Sequence, residues 1–171
     1  NDSFFGKSLK EIQFKKGLKI VKAFSNQRNK NSLSVLLSFS SFLKKYSKSL
    51  KKINPDIFVT FGDRYEMLAA TISAYILKIP IVHIAGGEKT SGSLDEGFRH
   101  SITKLSNLHF PTSNKYRKRI IQLGENTKTV FNFGSLNRQK IANTKFFSKT
   151  EFQNEFKMKL LKKNILMKFH P

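Results

Sequence analysis

The stretch Asp56-Ile57-Phe58-Val59-Thr60-Phe61, followed by Gly62-Asp63-Arg64-Tyr65-Glu66-Met67-Leu68-Ala69-Ala70, decides the fold. Its first part is a short apolar run that suits a strand covered on both faces. Gly62 breaks the run, and the alanine- and leucine-rich segment from Tyr65 to Leu77 reads as a helix. A strand that hands over to a helix through a glycine turn is the first half of a βαβ unit, and the chain repeats the theme.

Upstream, Leu33, Leu36, Leu37, Ser40, Leu43, Tyr46, Leu50 and Ile53 recur at three- and four-residue steps, with Lys44, Lys45, Lys48, Lys51 and Lys52 between them. That spacing predicts an amphipathic helix. Asn54-Pro55 ends it, because the residue before proline is pushed out of the helical region. Residues 1–30 carry weaker periodicity, with Leu9, Ile12, Leu18, Ile20 and Val21 as candidate buried positions among loops and short elements.

Downstream, Ile81 to Ala85 reads as a second strand, broken by Gly86-Gly87. Ser93 with Glu96 three positions on spells a capping box, opening a helix to about Leu105. Leu108 to Pro111 is a third strand, Lys115 to Leu123 a basic helix closed by Gly124, and Thr129 to Phe133 a fourth strand. Leu136 to Ala142 forms a short helix, Ser148 and Glu151 cap another to about Leu161, and Ile165 to Phe169 is a last strand. The alternation predicts an α/β, Rossmann-like parallel sheet with helices on both faces. A helix and strand after a lysine-rich connection look like the opening of a second domain, giving an incomplete first domain over 1–143 and the start of another over 144–171.

The chain has 171 residues, enough for one domain with a real core, and no cysteine, which excludes disulfides, thiolate zinc sites and cysteine nucleophiles. It lacks an apolar run long enough to span a membrane, and the expectation is a soluble cytoplasmic protein with no membrane partner. It begins with Asn1, as an incomplete reading frame would. The net charge of +21 raises nucleic acid as a partner, because so basic a surface attracts polyanions. Yet Gly62 to Pro111 holds five basic residues (Arg64, Lys78, Lys89, Arg99, Lys104) and five acidic ones (Asp63, Glu66, Glu88, Asp95, Glu96). This stretch is neutral, and the excess lies outside it in a chain rich in lysine, asparagine, isoleucine and phenylalanine.

Ligands of an open parallel sheet bind beyond the carboxyl ends of its strands. Asp63 follows the first strand and Glu88 the second, so both carboxylates fall on that edge. Asp63 reads either as a functional acid or as a cap for the helix at Tyr65. Arg64 reads as its partner or as a phosphate ligand. Glu88 has no obvious helix to cap, whereas Glu66 suits a first helical turn. Asp95 and Arg99, and Glu96 and His100, are spaced to pair on one helix face, or else to hold an anionic ligand and move protons. His83 and His109 read as hydrogen-bonded core residues, and His170 as a group on the ligand edge of the second domain. No metal-ligand spacing, phosphate-binding glycine fingerprint or serine nucleophile elbow is present.

These residues resemble the hydrolysing UDP-N-acetylglucosamine 2-epimerases. The resemblance is carried by Gly62 to Ala70, by Ile79-Pro80 with His83-Ile84-Ala85-Gly86-Gly87-Glu88, by Asp95-Glu96 with Arg99-His100-Ser101-Ile102-Thr103-Lys104, by Val130-Phe131-Asn132 with Gly134-Ser135-Leu136, and by Ile165-Leu166 with Phe169-His170-Pro171. It implies the two-domain fold of the B-type glycosyltransferases, with this chain holding most of the first half and one strand of the second. The implied reaction removes the proton at carbon 2 of UDP-N-acetylglucosamine while UDP leaves carbon 1, and water then adds to the glycal to give N-acetylmannosamine. The resemblance implies Asp63, Glu88 and His170 as catalytic groups, and Arg64, Asp95, Glu96, Arg99 and His100 as substrate-binding ones. It implies no metal or redox cofactor, and a homodimer or homotetramer at full length. Ala85 stands where some relatives carry glutamate. The rivals are a non-hydrolysing epimerase, an epimerase of UDP-N,N'-diacetylbacillosamine, and a basic nucleic-acid-binding domain.

Overall fold

A computed structural model describes residues 31–168, apart from the side chain of Gln139. The long helix α1 (Ser32–Ile53) begins with a capping box in which Asn31 and Ser34 satisfy each other's backbone N–H groups. It ends at Asn54, whose left-handed backbone (φ 47°) returns its N–H to Leu50 O, one residue ahead of Pro55. Strand β1 (Phe58–Phe61), helix α2 (Tyr65–Ile76), strand β2 (Ile81–Ile84), helix α3 (Leu94–Leu105), strand β3 (Leu108–Phe110) and helix α4 (Asn114–Gln122) follow. The strands form a parallel sheet in the order β1-β2-β3, and the rows across it are Thr60–His83–His109 and Phe61–Ile84–Phe110.

One face of this sheet carries the core. Ile81 packs with Leu50 of α1, Ala74 of α2 and Ile79, with Phe58 alongside. Phe42 of α1 packs with Tyr65 and Ala69 of α2, and alanines at the interface let the two helices approach closely. His83 points the same way and meets Thr103 of α3. The opposite face differs from the expectation of a strand covered twice. Val59 and Phe61 are 55% and 61% exposed, because α1, α2 and α3 all pack against the other side.

Three further expectations are corrected. The fourth strand reduces to a turn of 3₁₀ helix (Thr127–Thr129) and one parallel bridge between Val130 and His109. Asn132 stops the ladder there, because its side chain accepts from the Gly134 N–H and donates to Asn114. Phe131 and Phe133 instead stack on Phe110. Residues 165–168 form no strand, since a strand needs a hydrogen-bonded neighbour and none of the described residues supplies one; Ile165 and Leu166 are almost fully exposed. The helix opened by Ser148 stops at Phe156 rather than Leu161, where Lys157 turns left-handed and closes onto Gln153 O.

Helix α5 (Leu136–Ala142) and helix α6 (Lys149–Phe156) fall where their sequence signals stand, the second with its Ser148–Glu151 capping box formed. The chain divides into two compact units, one ending at Ser135 and one starting at Leu136.

Candidate active site

Gly62 takes a positive φ of 107°, a conformation that favours glycine, and so turns the chain out of β1 at its carboxyl end. Asp63 emerges from that turn. It does not cap α2: the N-cap position belongs to Arg64, and no side chain bonds the helix start. Its carboxylate is held by Arg99 of α3, whose Nη2 pairs with Asp63 Oδ2. Arg64 points outward, pairing with Glu66 Oε1 at 3.1 Å and lying over the Tyr65 ring.

The second turn leaves β2 through Ala85, Gly86 and Gly87. Ala85 adopts φ 63°, unusual for a residue with a side chain, and its N–H bonds Phe110 O at 3.0 Å. A Cβ on Gly86 would stand 2.9 Å from His83 Nδ1 and 3.1 Å from Thr103 Oγ1. A Cβ on Gly87, itself at φ 78°, would stand 2.6 Å from Tyr116 O. Close packing on both sides therefore requires two glycines in succession, and Glu88 follows. Its Oε1 accepts from Thr112 Oγ1 at 3.1 Å, in the segment after β3.

Arg99 ties the two turns together. Besides Asp63, it donates from Nη1 to Glu88 O at 2.9 Å and from Nη2 to Thr90 Oγ1 at 3.3 Å. It is 5% exposed, so these bonds stabilise a guanidinium that would otherwise be desolvated without compensation. The spacing of Asp95 and Arg99 on α3 suggested an ion pair, but Arg99 reaches across to Asp63 instead. The capping box expected at Ser93 does not form, although Ser93 caps the helix. Ser93 Oγ accepts from Asp95 N–H, while Glu96 Oε2 accepts from Thr90 N–H because the Ser93 N–H is taken by Thr90 O. Glu96 Oε1 lies 3.8 Å from His100 Nε2, and His100 Nδ1 is buried without a partner among the described residues.

Beneath the site lies a polar row, Thr60, His83 and His109, all fully buried. His83 Nδ1 is 3.1 Å from Thr103 Oγ1, and burial, with the neighbouring His109 ring acting in the same direction, pushes the His83 imidazole down to about 4. Burial also lowers His109, against the opposing pull of Glu125, whose Oε2 lies 3.3 Å from Nε2 without hydrogen-bond alignment. Both rings are neutral near pH 7, as core histidines should be.

The structure thus brings together Asp63, Glu88 and Arg99, with Asp95, Glu96 and His100 on the first turns of the same helix, and turns Arg64 aside. His170 lies outside the described residues. Sequence reading missed Thr90, Thr112 and Arg119, which act through tertiary bonds that no local spacing announces.

Comparison with known proteins converges on one family. Residues 5–171 match the family described as UDP-N-acetylglucosamine 2-epimerase. A Campylobacter jejuni protein named GDP/UDP-N,N'-diacetylbacillosamine 2-epimerase (hydrolyzing) is 40% identical over 98% of this chain and 43% of its own length. The Escherichia coli polysialic acid biosynthesis protein P7 is 36% identical over 99% of this chain and 43% of its own. A Neisseria meningitidis UDP-N-acetylglucosamine 2-epimerase is 30% identical over 98% and 43%. The chain thus spans less than half the length of these curated relatives. Among solved structures, the Rickettsia bellii UDP-N-acetylglucosamine 2-epimerase superposes with a TM-score of 0.59 at 21% identity, over 77% of this chain and 35% of that one. The Neisseria meningitidis enzyme bound to UDP-GlcNAc gives 0.58 at 20%, over 70% and 34%. These structural likenesses establish the fold, the GT-B-like α/β architecture. None of the matches supports a nucleic-acid-binding domain.

Proposed function

The chain belongs to the UDP-N-acetylglucosamine 2-epimerase family, and from that premise we propose that it forms one wall of the active site of a hydrolysing 2-epimerase acting on a UDP-linked 2-acetamido sugar. The observation that carries the reading is the Arg99 clamp, which holds Asp63 and the Glu88 turn side by side at the carboxyl edge of the sheet. In the proposed reaction a carboxylate, Asp63 first and Glu88 second, accepts the proton at carbon 2. The bond from carbon 1 to the diphosphate oxygen breaks with its electron pair, UDP departs, and a carbon 1–carbon 2 double bond remains. Water then supplies hydroxide to carbon 1 and a proton to carbon 2 on the opposite face, giving the free epimeric sugar and UDP. Proton transfer by positioned carboxylates contributes about 10²–10⁴-fold to such steps.

Arg99 orients the carboxylates. Asp95, Glu96 and His100 stand at the start of α3 as substrate-binding groups, Arg64 is an outer ligand paired with Glu66, and His170 is assigned to the diphosphate or to the role of acid. Residues 144–171 we take as the opening of a second domain.

UDP-N-acetylglucosamine, giving N-acetylmannosamine, is the first substrate to test. A second reading, UDP-N,N'-diacetylbacillosamine, is favoured by the names of relatives 40% and 37% identical, from Campylobacter jejuni and Legionella pneumophila. The test is product analysis on a hybrid in which these residues replace the matching segment of the Campylobacter jejuni protein. Free sugar plus UDP, abolished by Asp63→Asn, is the expected outcome. A UDP-linked epimer as product would overturn hydrolysis, and the substrate turned over faster decides between the two sugars.

A further inference from the structure

Glu88 is gripped more thoroughly than its loop position demands. The carbonyl before it, Gly87 O, accepts from Arg119 Nη1 at 2.6 Å. Its own carbonyl accepts from Arg99 Nη1 at 2.9 Å, and its carboxylate accepts from Thr112 Oγ1 at 3.1 Å. Two consecutive backbone carbonyls thus accept from guanidinium groups on two different helices, one on α3 and one on α4. Bonds with a charged donor are about twice as strong as neutral ones, and a planar guanidinium fixes direction as well as distance.

The α4 side of this grip is built in depth. Arg119 is braced over the Tyr116 ring, 5.8 Å from its centroid. The Tyr116 carbonyl and the Ile120 side chain press on Gly87 so closely that a methyl group there would stand 2.6 Å and 2.9 Å from them. Ile120 is fully buried. The Gly87 φ of 78° and the absent Cβ are what allow Arg119 to reach the carbonyl while the helix stays seated against the turn. Arg119 itself lies in the second turn of α4 and bonds neither Asp63 nor Arg99.

We propose that Arg119, seconded by Thr112, is the positioning residue for Glu88: α4 sets the direction of the Glu88 carboxylate through the Gly87 carbonyl, just as Arg99 sets Asp63. This rests on the reading of Glu88 as a catalytic carboxylate. A shift of about 1 Å in a catalytic group costs on the order of 10²-fold in rate, so losing one side of the grip matters even though Arg119 meets no substrate.

The test pairs kinetics with a spectroscopic reading. In the hydrolysing hybrid, Arg119→Met is expected to lower kcat by about 10–100-fold and leave KM within about threefold, with Arg119→Lys recovering most of the loss. In a Glu88→Gln background the same substitution should cost nothing further, since the group it positions is gone. On the 171-residue chain, Arg119→Met should move the ¹³C resonance of the Glu88 carboxylate, and Arg119→Lys should move it back. An unchanged kcat in Arg119→Met, an equal loss in the Glu88→Gln background, or an unmoved Glu88 resonance overturns the proposal. If Glu88→Gln itself keeps the full rate, both the role of Glu88 and this proposal fall, while the hydrolytic reaction stands.

Discussion

The two faces of the three-stranded sheet reverse the usual distribution of polarity. The covered face carries Thr60, His83 and His109, all fully buried, flanked by Phe58 and Ile81. The open face carries Val59 and Phe61, both more than half exposed, with Leu108 at 36% and the stacked rings of Phe110, Phe131 and Phe133 beside them. A buried polar row is costly unless its groups are paired, and a parallel sheet is ordinarily covered on both sides. The difference teaches that the covered face is specialised for the site above it. His83 and Thr103 meet under Gly86 and brace that turn, whereas Thr60 Oγ1, His83 Nε2 and both ring nitrogens of His109 have no hydrogen-bond partner among the described residues.

The sharpest way to break the comparison is acid. An unfolded imidazole titrates near 6.5, whereas burial holds His83 at about 4. Between those values the unfolded chain takes up a proton that the folded one refuses. Stability is therefore complete above about pH 6.5 and falls by about 3 kcal/mol on reaching pH 4, with the lowered His109 adding in the same direction. Urea midpoints measured from pH 7 to pH 4 should show this decline, and His83→Gln should flatten it. Identical pH profiles for the two proteins would refute it.

The next largest effect is steric. Gly86→Ala places a methyl group 2.9 Å from His83 Nδ1 and 3.1 Å from Thr103 Oγ1, so the His83–Thr103 bond must give way, at a cost of about 1–3 kcal/mol. Denaturant unfolding of the two proteins measures it, and a loss below about 0.5 kcal/mol would mean that the polar row is not a brace. The smallest effect belongs to the other face. Val59→Thr, at a side chain 55% exposed, should change stability by no more than about 0.5 kcal/mol in the same assay. A loss comparable to that of Gly86→Ala would show that the open face is covered and erase the asymmetry.

Much of this was legible in the sequence, and the limits have physical causes. Helix α1, the βα turns at Gly62 and Gly86-Gly87, and helix α5 follow from local rules: periodicity, glycine at strand ends, capping. The edge on which Asp63 and Glu88 sit also follows, because strand direction alone fixes it. What local rules could not give is which side chain reaches which. Asp95 and Arg99 have ideal helical spacing, yet a guanidinium is long enough to prefer a carboxylate 36 positions away in sequence. Glu96 has the spacing of a capping box, yet the Thr90 turn offers it a free N–H first. The strand expected at Thr129–Phe133 shows the same limit, since a single asparagine side chain, Asn132, competes successfully with the ladder. The strand at Phe58–Phe61 is legible as an element but not in its environment, because a short apolar run says what its faces could bury and not whether anything lies over them.

The Arg99 clamp also bears on the order in which the protein assembles. The bond from Arg99 to Asp63 closes a loop of chain that contains all of α2 and β2, and loop closure must be met before a contact so distant in sequence can contribute. Its partners are brought within reach only when β1 and β2 lie in register, Thr60 beside His83. The clamp depends on that register, so it rewards the correctly registered sheet and gives nothing to a chain whose strands have slipped. The guanidinium that closes this edge of the sheet is the same one that, in the proposed reaction, orients the carboxylates.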